Sequence, residues 1–144
     1  KLPIVLDIQP TFLMTDLHWI EERVGKERAV LSYPWKTYLD SGLIMAGGSD
    51  APVESFNPWI GIYATVTRQD MDGYPVGVYD AVCMYSKNVA YANGDQDLMG
   101  TIEAGKFADM VVIDRDIFHI PENDIKDIQV LNTYMAGIER YHRD

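Results

Sequence analysis

The sequence is poor in cysteine, in basic residues and in long apolar stretches, and each shortage excludes a class of protein. Its one cysteine, Cys83, cannot form a disulfide within the chain, which favours a reducing compartment and predicts a cytoplasmic location. Twelve basic residues against 22 acidic ones give a net charge of −10, which disfavours nucleic acid and anionic membranes as partners. No stretch approaches the roughly 20 apolar residues of a membrane span.

Recognisable catalytic spacings are also missing. The three histidines, His18, His119 and His142, lie far apart, and the sequence contains neither an HxH pair nor an HExxH helix. A catalytic zinc site takes about three ligands from protein, so each histidine is predicted to be a surface or structural residue. Ser49 has no GxSxG elbow around it. The chain starts at Lys1 and shows no basic start followed by an apolar core, so no signal peptide is expected.

The first half of the chain has an alternating strand and helix pattern. Residues 2–9 (LPIVLDIQ) and 43–47 (LIMAG) are short apolar runs that predict buried strands. Residues 11–25 predict a helix with Asp16 as its N-cap. Residues 27–41 predict further helix, with a new segment beginning near Pro34. Strand, helix and strand in this order form a βαβ unit, so the two strands should lie parallel.

The second half of the chain changes character after Gly94. Before Gly94, a helix should begin at Asn57-Pro58, and a loop should carry Asp72-Gly73 and Pro75. One further helix should span residues 78–92. After it, residues 109–114 predict a strand, and residues 128–141 predict two strands with a turn at Ala136-Gly137. We therefore expect an α/β fold with two parts, residues 1–93 and a small β module of residues 94–144.

Asp50 is the residue that most favours a functional role. It stands in residues 48–52 (GSDAP), directly after the second predicted strand and so at the carboxyl end of the sheet, where active sites of α/β barrels are built. A carboxylate there can bind a metal or accept a proton from a metal-bound water. By position alone, a structural role as the cap of the following turn is the stronger interpretation. The aromatic residues Phe56 and Trp59 follow closely and could line a substrate pocket, although core packing is favoured.

Several segments together resemble the amidohydrolase 3 family. Residues 46–53 (AGGSDAPV) are similar to its GSDAPV signature, and residues 100–109 (GTIEAGKFAD) are similar to the signature near amidohydrolase C-termini. Further matches follow in the family's order: Gln9-Pro10, Asp16, Trp19, residues 23–25 (RVG) and Asn57-Pro58.

The resemblance implies a metal-dependent (β/α)8 barrel with an added β-sandwich, acting on amide-type C–N bonds of small molecules through metal-activated water. Asp50 would be a metal ligand and the proton acceptor, and the metal would be zinc. The family's HxH pair belongs to a first strand that has no counterpart here. A barrel takes about 250 residues, so the chain would be the C-terminal end of the barrel, its last two strands and their helices, plus the β module, and inactive alone.

Two other functions remain open. The chain could be a free-standing binding or assembly module, or one half of a split enzyme whose barrel is completed by another chain. In each case two parallel strands would leave open edges that a closed barrel hides, so we expect self-association through exposed strand edges.

Overall fold

The computed structural model describes residues 4–68 and 75–144, which form a mixed α/β structure with two small sheets. The first half contains strands β1 and β2 and helices α1 to α4: β1 Val5–Ile8, α1 Phe12–Val24, α2 Lys26–Ala29, α3 Trp35–Asp40, β2 Ile44–Gly47 and α4 Pro58–Val66. The second half contains the remaining elements: α5 Val78–Met84, α6 Lys87–Asn93, β3 Met110–Ile113, a 3-10 helix Glu122–Asp127, β4 Val130–Met135 and β5 Ile138–His142.

The predicted parallel strand pair is confirmed. β1 and β2 pair in parallel, with Val5 opposite Ile44 and Ile8 opposite Gly47. Side chains alternate between the two faces of a sheet. One face carries Ile8 and Met45, which are 9% and 1% exposed and pack with Trp35 from α3 in the hydrophobic core.

The first helix begins earlier than Asp16, so the predicted N-cap is wrong. The chain turns helical directly after Pro10, and the backbone N–H of Met14 donates to the Thr11 carbonyl over 3.0 Å. Asp16 therefore lies inside α1, where its carboxylate accepts a hydrogen bond from the Tyr33 hydroxyl. The new helical segment predicted near Pro34 is confirmed, since α3 follows Pro34 and Tyr33, with a φ of 54°, separates it from α2.

The predicted start of α4 is confirmed. Asn57 is the N-cap, its Oδ1 accepts from the Trp59 N–H over 3.0 Å, and Pro58 takes the first helical position.

The prediction of one helix over residues 78–92 is wrong. α5 ends at Met84 and α6 begins at Lys87, and the intervening Ser86 has non-helical angles of −135° and −98°. The loop residues Asp72 and Gly73 lie outside the described residues.

The strands predicted in the tail are confirmed. β3, β4 and β5 form an antiparallel sheet in that order, and the turn joining β4 to β5 has positive φ values at Ala136 and Gly137.

A second hydrophobic core joins the helices to the C-terminal part of the chain. In it, Ile62 and Val66 of α4 cluster with Ile125 and Ile128. The division of the chain at residue 93 stays a prediction. None of the helices in the described part of the chain is long and apolar enough to cross a membrane.

Candidate functional site

The carboxyl ends of β1 and β2 bring two loops to the same edge of the parallel sheet. Thr11 follows β1, and Ser49 and Asp50 follow β2. In parallel α/β sheets, ligands bind outside the carboxyl ends of the strands, because the loops converge there. This edge is therefore the candidate site.

Asp50 occupies an exposed turn at this edge. Its backbone φ is 53°, a left-handed conformation that aspartate tolerates better than most residues. The turn is closed by the Asp50 carbonyl, which accepts from the Val53 N–H over 2.9 Å. The backbone thus supplies the turn contact, and the exposed residue presents its carboxylate to the solvent side of the sheet edge.

A cavity of about 220 Å³ lies beside this turn. Ser49, Phe56 and Asn57 form part of its lining, and none of its lining residues carries a charge. Phe56 is 86% exposed and stands at the cavity, whereas Trp59 is partly buried against the core cluster of Ile62 and is not part of the lining. The structure thus separates the two aromatic residues that the sequence suggested as substrate contacts.

Tyr85 forms another wall of the cavity and fits between two glycines. A Cβ atom added at Gly47 would lie 2.7 Å from the ring atom Cε2, and one at Gly61 would overlap the hydroxyl oxygen. Only glycine at both positions leaves room for the ring. Burial of the side chain raises the pKa of the Tyr85 hydroxyl, so the group stays protonated and can donate a hydrogen bond.

Two buried hydroxyls at the cavity have no hydrogen-bond partner among residues 4–68 and 75–144. They are Thr11 Oγ1 and Tyr85 Oη, and both residues line the cavity. Thr11 is 3% exposed and precedes the first residue of α1, but its side chain makes no capping bond. Sequence reasoning missed both residues, since neither stands in a motif and they are far apart along the chain.

Asp7 is a second carboxylate that the sequence reasoning passed over. It is exposed on β1, opposite Ala46, and its Oδ1 lies 3.7 Å from the position that a Cβ of Gly48 would take. Asp7 and Gly48 therefore share the strand face opposite the helix-packed one. A charged residue inside an otherwise apolar strand was the available signal.

The residues present do not form a metal site by themselves. Within the two described ranges, no group of three or more His, Cys, Asp or Glu side chains could hold a metal ion. His18 is exposed on α1, the His119 ring contacts the Asp116 carboxylate over 2.7 Å, and the His142 ring contacts the Asn132 amide over 2.8 Å. The edge of the parallel sheet offers carboxylates to a metal but not a complete ligand set.

Comparison with known proteins finds two curated relatives whose names are those of hydrolases. "Putative amidohydrolase YtcJ" of Bacillus subtilis (strain 168) is 32% identical over 146 residues, covering 95% of this chain and 28% of that protein. The N-substituted formamide deformylase of Arthrobacter pascens is 35% identical over 117 residues, covering 77% of this chain and 22% of that enzyme. The chain spans about a quarter of the length of these relatives.

Comparison with solved structures also finds a hydrolase. A metal-dependent hydrolase from Pyrococcus furiosus superposes with a TM-score of 0.72 at 33% identity, over 81% of this chain and 24% of that one. The model of the amidohydrolase family matches residues 1–141. This match includes both loops of the candidate site and extends through the antiparallel sheet, and the chain therefore belongs to the amidohydrolase family.

Proposed function

We propose that this chain is the C-terminal part of a metal-dependent amidohydrolase that hydrolyses amide-type C–N bonds in small molecules. The observation that carries the proposal is the exposed Asp50 carboxylate directly after β2, at the carboxyl edge of a parallel strand pair. Family membership and the likeness to a metal-dependent hydrolase support it. The deformylase relative supports the choice of an amide-type bond.

In this proposal, β1 and β2 are the last two strands of a (β/α)8 barrel. Both strands are short, parallel and joined through helices, as barrel strands are, and each has an edge left open in the described part of the chain. Residues 94–144 would be the β module that contributes to the family's β-sandwich. Its three antiparallel strands support that assignment.

The metal, which we propose to be zinc, would polarise the scissile carbonyl and lower the pKa of a bound water. Asp50 would be one ligand and would accept a proton at its carboxylate. Ligands beyond Asp50 would come from other parts of the intact protein, because the residues described here supply too few. A cytoplasmic location is part of the proposal, supported by the single, unpaired and buried Cys83.

The direct test is hydrolysis by the intact protein. We expect the purified enzyme to release amine from N-substituted formamides or related amides, and to lose this activity when a chelator removes the metal. Activity should return when zinc is added back. Full activity after exhaustive removal of metal would contradict the metal-dependent mechanism.

The 144-residue chain expressed alone is expected to be inactive. It should bind zinc at less than one equivalent and hydrolyse no amide above the buffer rate, because the carboxylates of Asp50 and Asp7 do not supply the three protein ligands of a catalytic zinc site. The measurement is metal content by mass spectrometry together with amine release, with the intact protein as positive control. Stoichiometric zinc together with turnover by the isolated chain would refute this expectation.

We further propose that the isolated chain self-associates. Among the described residues, both strands of the parallel pair have an open edge, and a groove of about 740 Å³ with a mainly apolar lining lies between α5, α6 and β3. Open edges and exposed apolar surface favour pairing with a second copy. Light scattering should report dimers or larger species at micromolar concentration, whereas a monodisperse monomer would count against the proposal.

A lysine substitution on β3 tests the self-association, and a lysine substitution in the loop after Asp50 is its matched control. Val111 is 50% exposed within β3 and lines the groove, whereas Val53 is 66% exposed in the loop after Asp50. Val111→Lys should shift the distribution toward monomer, because lysine on an edge strand opposes strand pairing. Val53→Lys adds the same charge elsewhere and should leave the distribution unchanged.

A further inference from the structure

We propose that Tyr85 is a positioning residue for Asp50, because its ring lies between the end of β2 and helix α4 and fixes both ends of the loop that carries the carboxylate. This role rests on the proposed function in one respect, since it takes Asp50 to be the reacting carboxylate. Tyr85 itself touches neither substrate nor metal in this role, and its hydroxyl is buried.

The loop between β2 and α4, residues 48–57, has little packing of its own around Asp50. Residues 50–53 are exposed, and the turn is closed by its own backbone, through the hydrogen bond from the Val53 N–H to the Asp50 carbonyl. Exposed segments with few buried contacts are the parts of a protein that open most readily. The place of the Asp50 carboxylate therefore depends on how the two ends of this loop are held.

The Tyr85 ring packs against both ends of the loop. Gly47 is the last residue of β2, and a Cβ added there would lie 2.7 Å from Cε2 of the ring. Gly61 lies near the start of α4, and a Cβ added there would lie 2.6 Å from Cζ. Such distances leave no space for a methyl group, so the ring lies directly on the backbone at both positions. One rigid group thus sets the separation of the strand end and the helix.

Tyr85 is in turn held by both hydrophobic cores. It packs against the cluster that contains Trp35 and Met45, and also against the cluster that contains Ile62 and Val66. Protein interiors are close-packed, so a ring with neighbours in two clusters has little freedom to move. The position of the ring is therefore set by the folded interior and passed on to the exposed loop.

The break between α5 and α6 brings Tyr85 to the strand. Tyr85 is the C-cap of α5, and Ser86 after it has φ and ψ angles of −135° and −98°. Both helices pack against β2, and the Asn88 amide of α6 donates to the Met45 carbonyl over 2.9 Å. Unusual backbone angles persist where surrounding contacts determine them. The contacts of Tyr85 and Asn88 with β2 account for the break.

The test is amide hydrolysis by the intact enzyme, measured well below the melting temperature of each variant. Tyr85→Leu removes the ring and should lower kcat about 100-fold, the loss that a misplacement of about 1 Å can cause, with a smaller change in KM. Tyr85→Phe keeps the ring and removes only the buried hydroxyl, which has no partner among the described residues, so it should keep the wild-type kcat.

The matched control is Tyr38→Leu. Tyr38 is also a partly buried tyrosine that packs against the first core, but its carbonyl accepts from Leu43, just before β2 and at the opposite end of the strand from Asp50. This variant should lose stability and keep the wild-type kcat. An equal loss of kcat in Tyr38→Leu and Tyr85→Leu would show a general packing effect and would overturn the positioning role.

Gly47→Ala provides a test that keeps Tyr85 in place in the sequence. The added methyl group would displace the ring, so this variant alone should lower kcat toward the value for Tyr85→Leu. In a Tyr85→Leu background it should lower kcat little further, because two changes that disturb one contact are not additive. Fully additive losses would overturn the inference.

Hydrogen exchange reports on the loop without turnover. Tyr85→Leu should speed the exchange of backbone amides in residues 48–57, including the Val53 N–H, because these amides exchange through local opening. Tyr38→Leu and Tyr85→Phe should leave that exchange at the wild-type rate. Wild-type exchange of the loop in Tyr85→Leu would mean that the ring does not hold it.

Failure of this inference differs from failure of the proposed function. Equal rates of amide hydrolysis by wild type and Tyr85→Leu would overturn the positioning role and leave the amidohydrolase proposal intact. A protein that hydrolyses no amide, but whose loop exchange responds to Tyr85→Leu and not to Tyr38→Leu, would refute the proposed reaction and keep the hold of the ring on the loop.

Discussion

Replacing Asp50 with asparagine in the intact enzyme is expected to lower kcat by about 100- to 10,000-fold, the range that a positioned proton-transfer group contributes. Asparagine keeps the size of the side chain and tolerates the left-handed backbone at this position. It removes the negative charge that would bind the metal and accept the proton. Rates should be measured under saturating substrate, with metal content determined on the same preparation.

A matched control is Asp97→Asn, which removes an exposed carboxylate from the turn that follows α6. It changes the net charge by the same amount and should leave kcat within about twofold of wild type, since Asp97 is exposed and does not line the cavity of the candidate site, and solvent screens exposed charges. If Asp50→Asn retained both its metal and wild-type kcat, the role proposed for this carboxylate would be wrong. Loss of activity in both variants would point to a general charge effect instead.

Gly61→Ala is expected to destabilise the protein by about 1–3 kcal/mol or more, the cost of forcing an extra group into a packed interior. A glycine inside a helix normally favours the opposite result, because alanine is the better helix former by about 1 kcal/mol. Gly61 lies in α4, but its added Cβ would overlap the Tyr85 hydroxyl. The steric clash therefore reverses the sign that helix propensity predicts. The thermal midpoint of unfolding is the quantity to measure.

Two comparisons isolate the cause of that loss. Gly77→Ala is a glycine replacement at the extended N-cap of α5, where an added Cβ has no neighbour closer than 3.8 Å, and it should cost at most about 1 kcal/mol, the usual size of the N-cap preference. In a Tyr85→Leu background the overlapping hydroxyl is absent, so Gly61→Ala should cost much less than it does alone. Equal losses from Gly61→Ala in both backgrounds would show that Tyr85 is not the reason for glycine at this position.

Local sequence signals predicted much of the fold, because each depends on residues close together in the chain. Asn57-Pro58 combines an N-cap side chain with a proline that needs no N–H donor, and the structure starts α4 there. Ala136-Gly137 joins β4 to β5 through a tight turn of two positive-φ residues. The run of residues 43–47 was too short for a helix and became β2.

Local signals misled where a more distant contact or a neighbouring turn controlled the backbone. Asp16 has the chemistry of an N-cap, but the turn after Pro10 had already started α1, and the Asp16 carboxylate meets Tyr33 instead. The apolar periodicity of residues 78–92 continues through the break between α5 and α6. Periodicity reports which residues are apolar, not whether the backbone between them is continuous.

The sequence by itself determined the family, the parallel strand pair and the position of Asp50 after the second strand, because each rests on motifs or on short-range patterns. Only the tertiary structure decided that Thr11 and Tyr85 meet at one cavity, that Phe56 stands beside it, and that Trp59 packs into the core. The physical reason is that the cavity exists only where segments from three parts of the chain enclose it. The hydroxyls of Thr11 and Tyr85 become buried without a partner among the described residues through that enclosure, which no linear pattern of residues encodes.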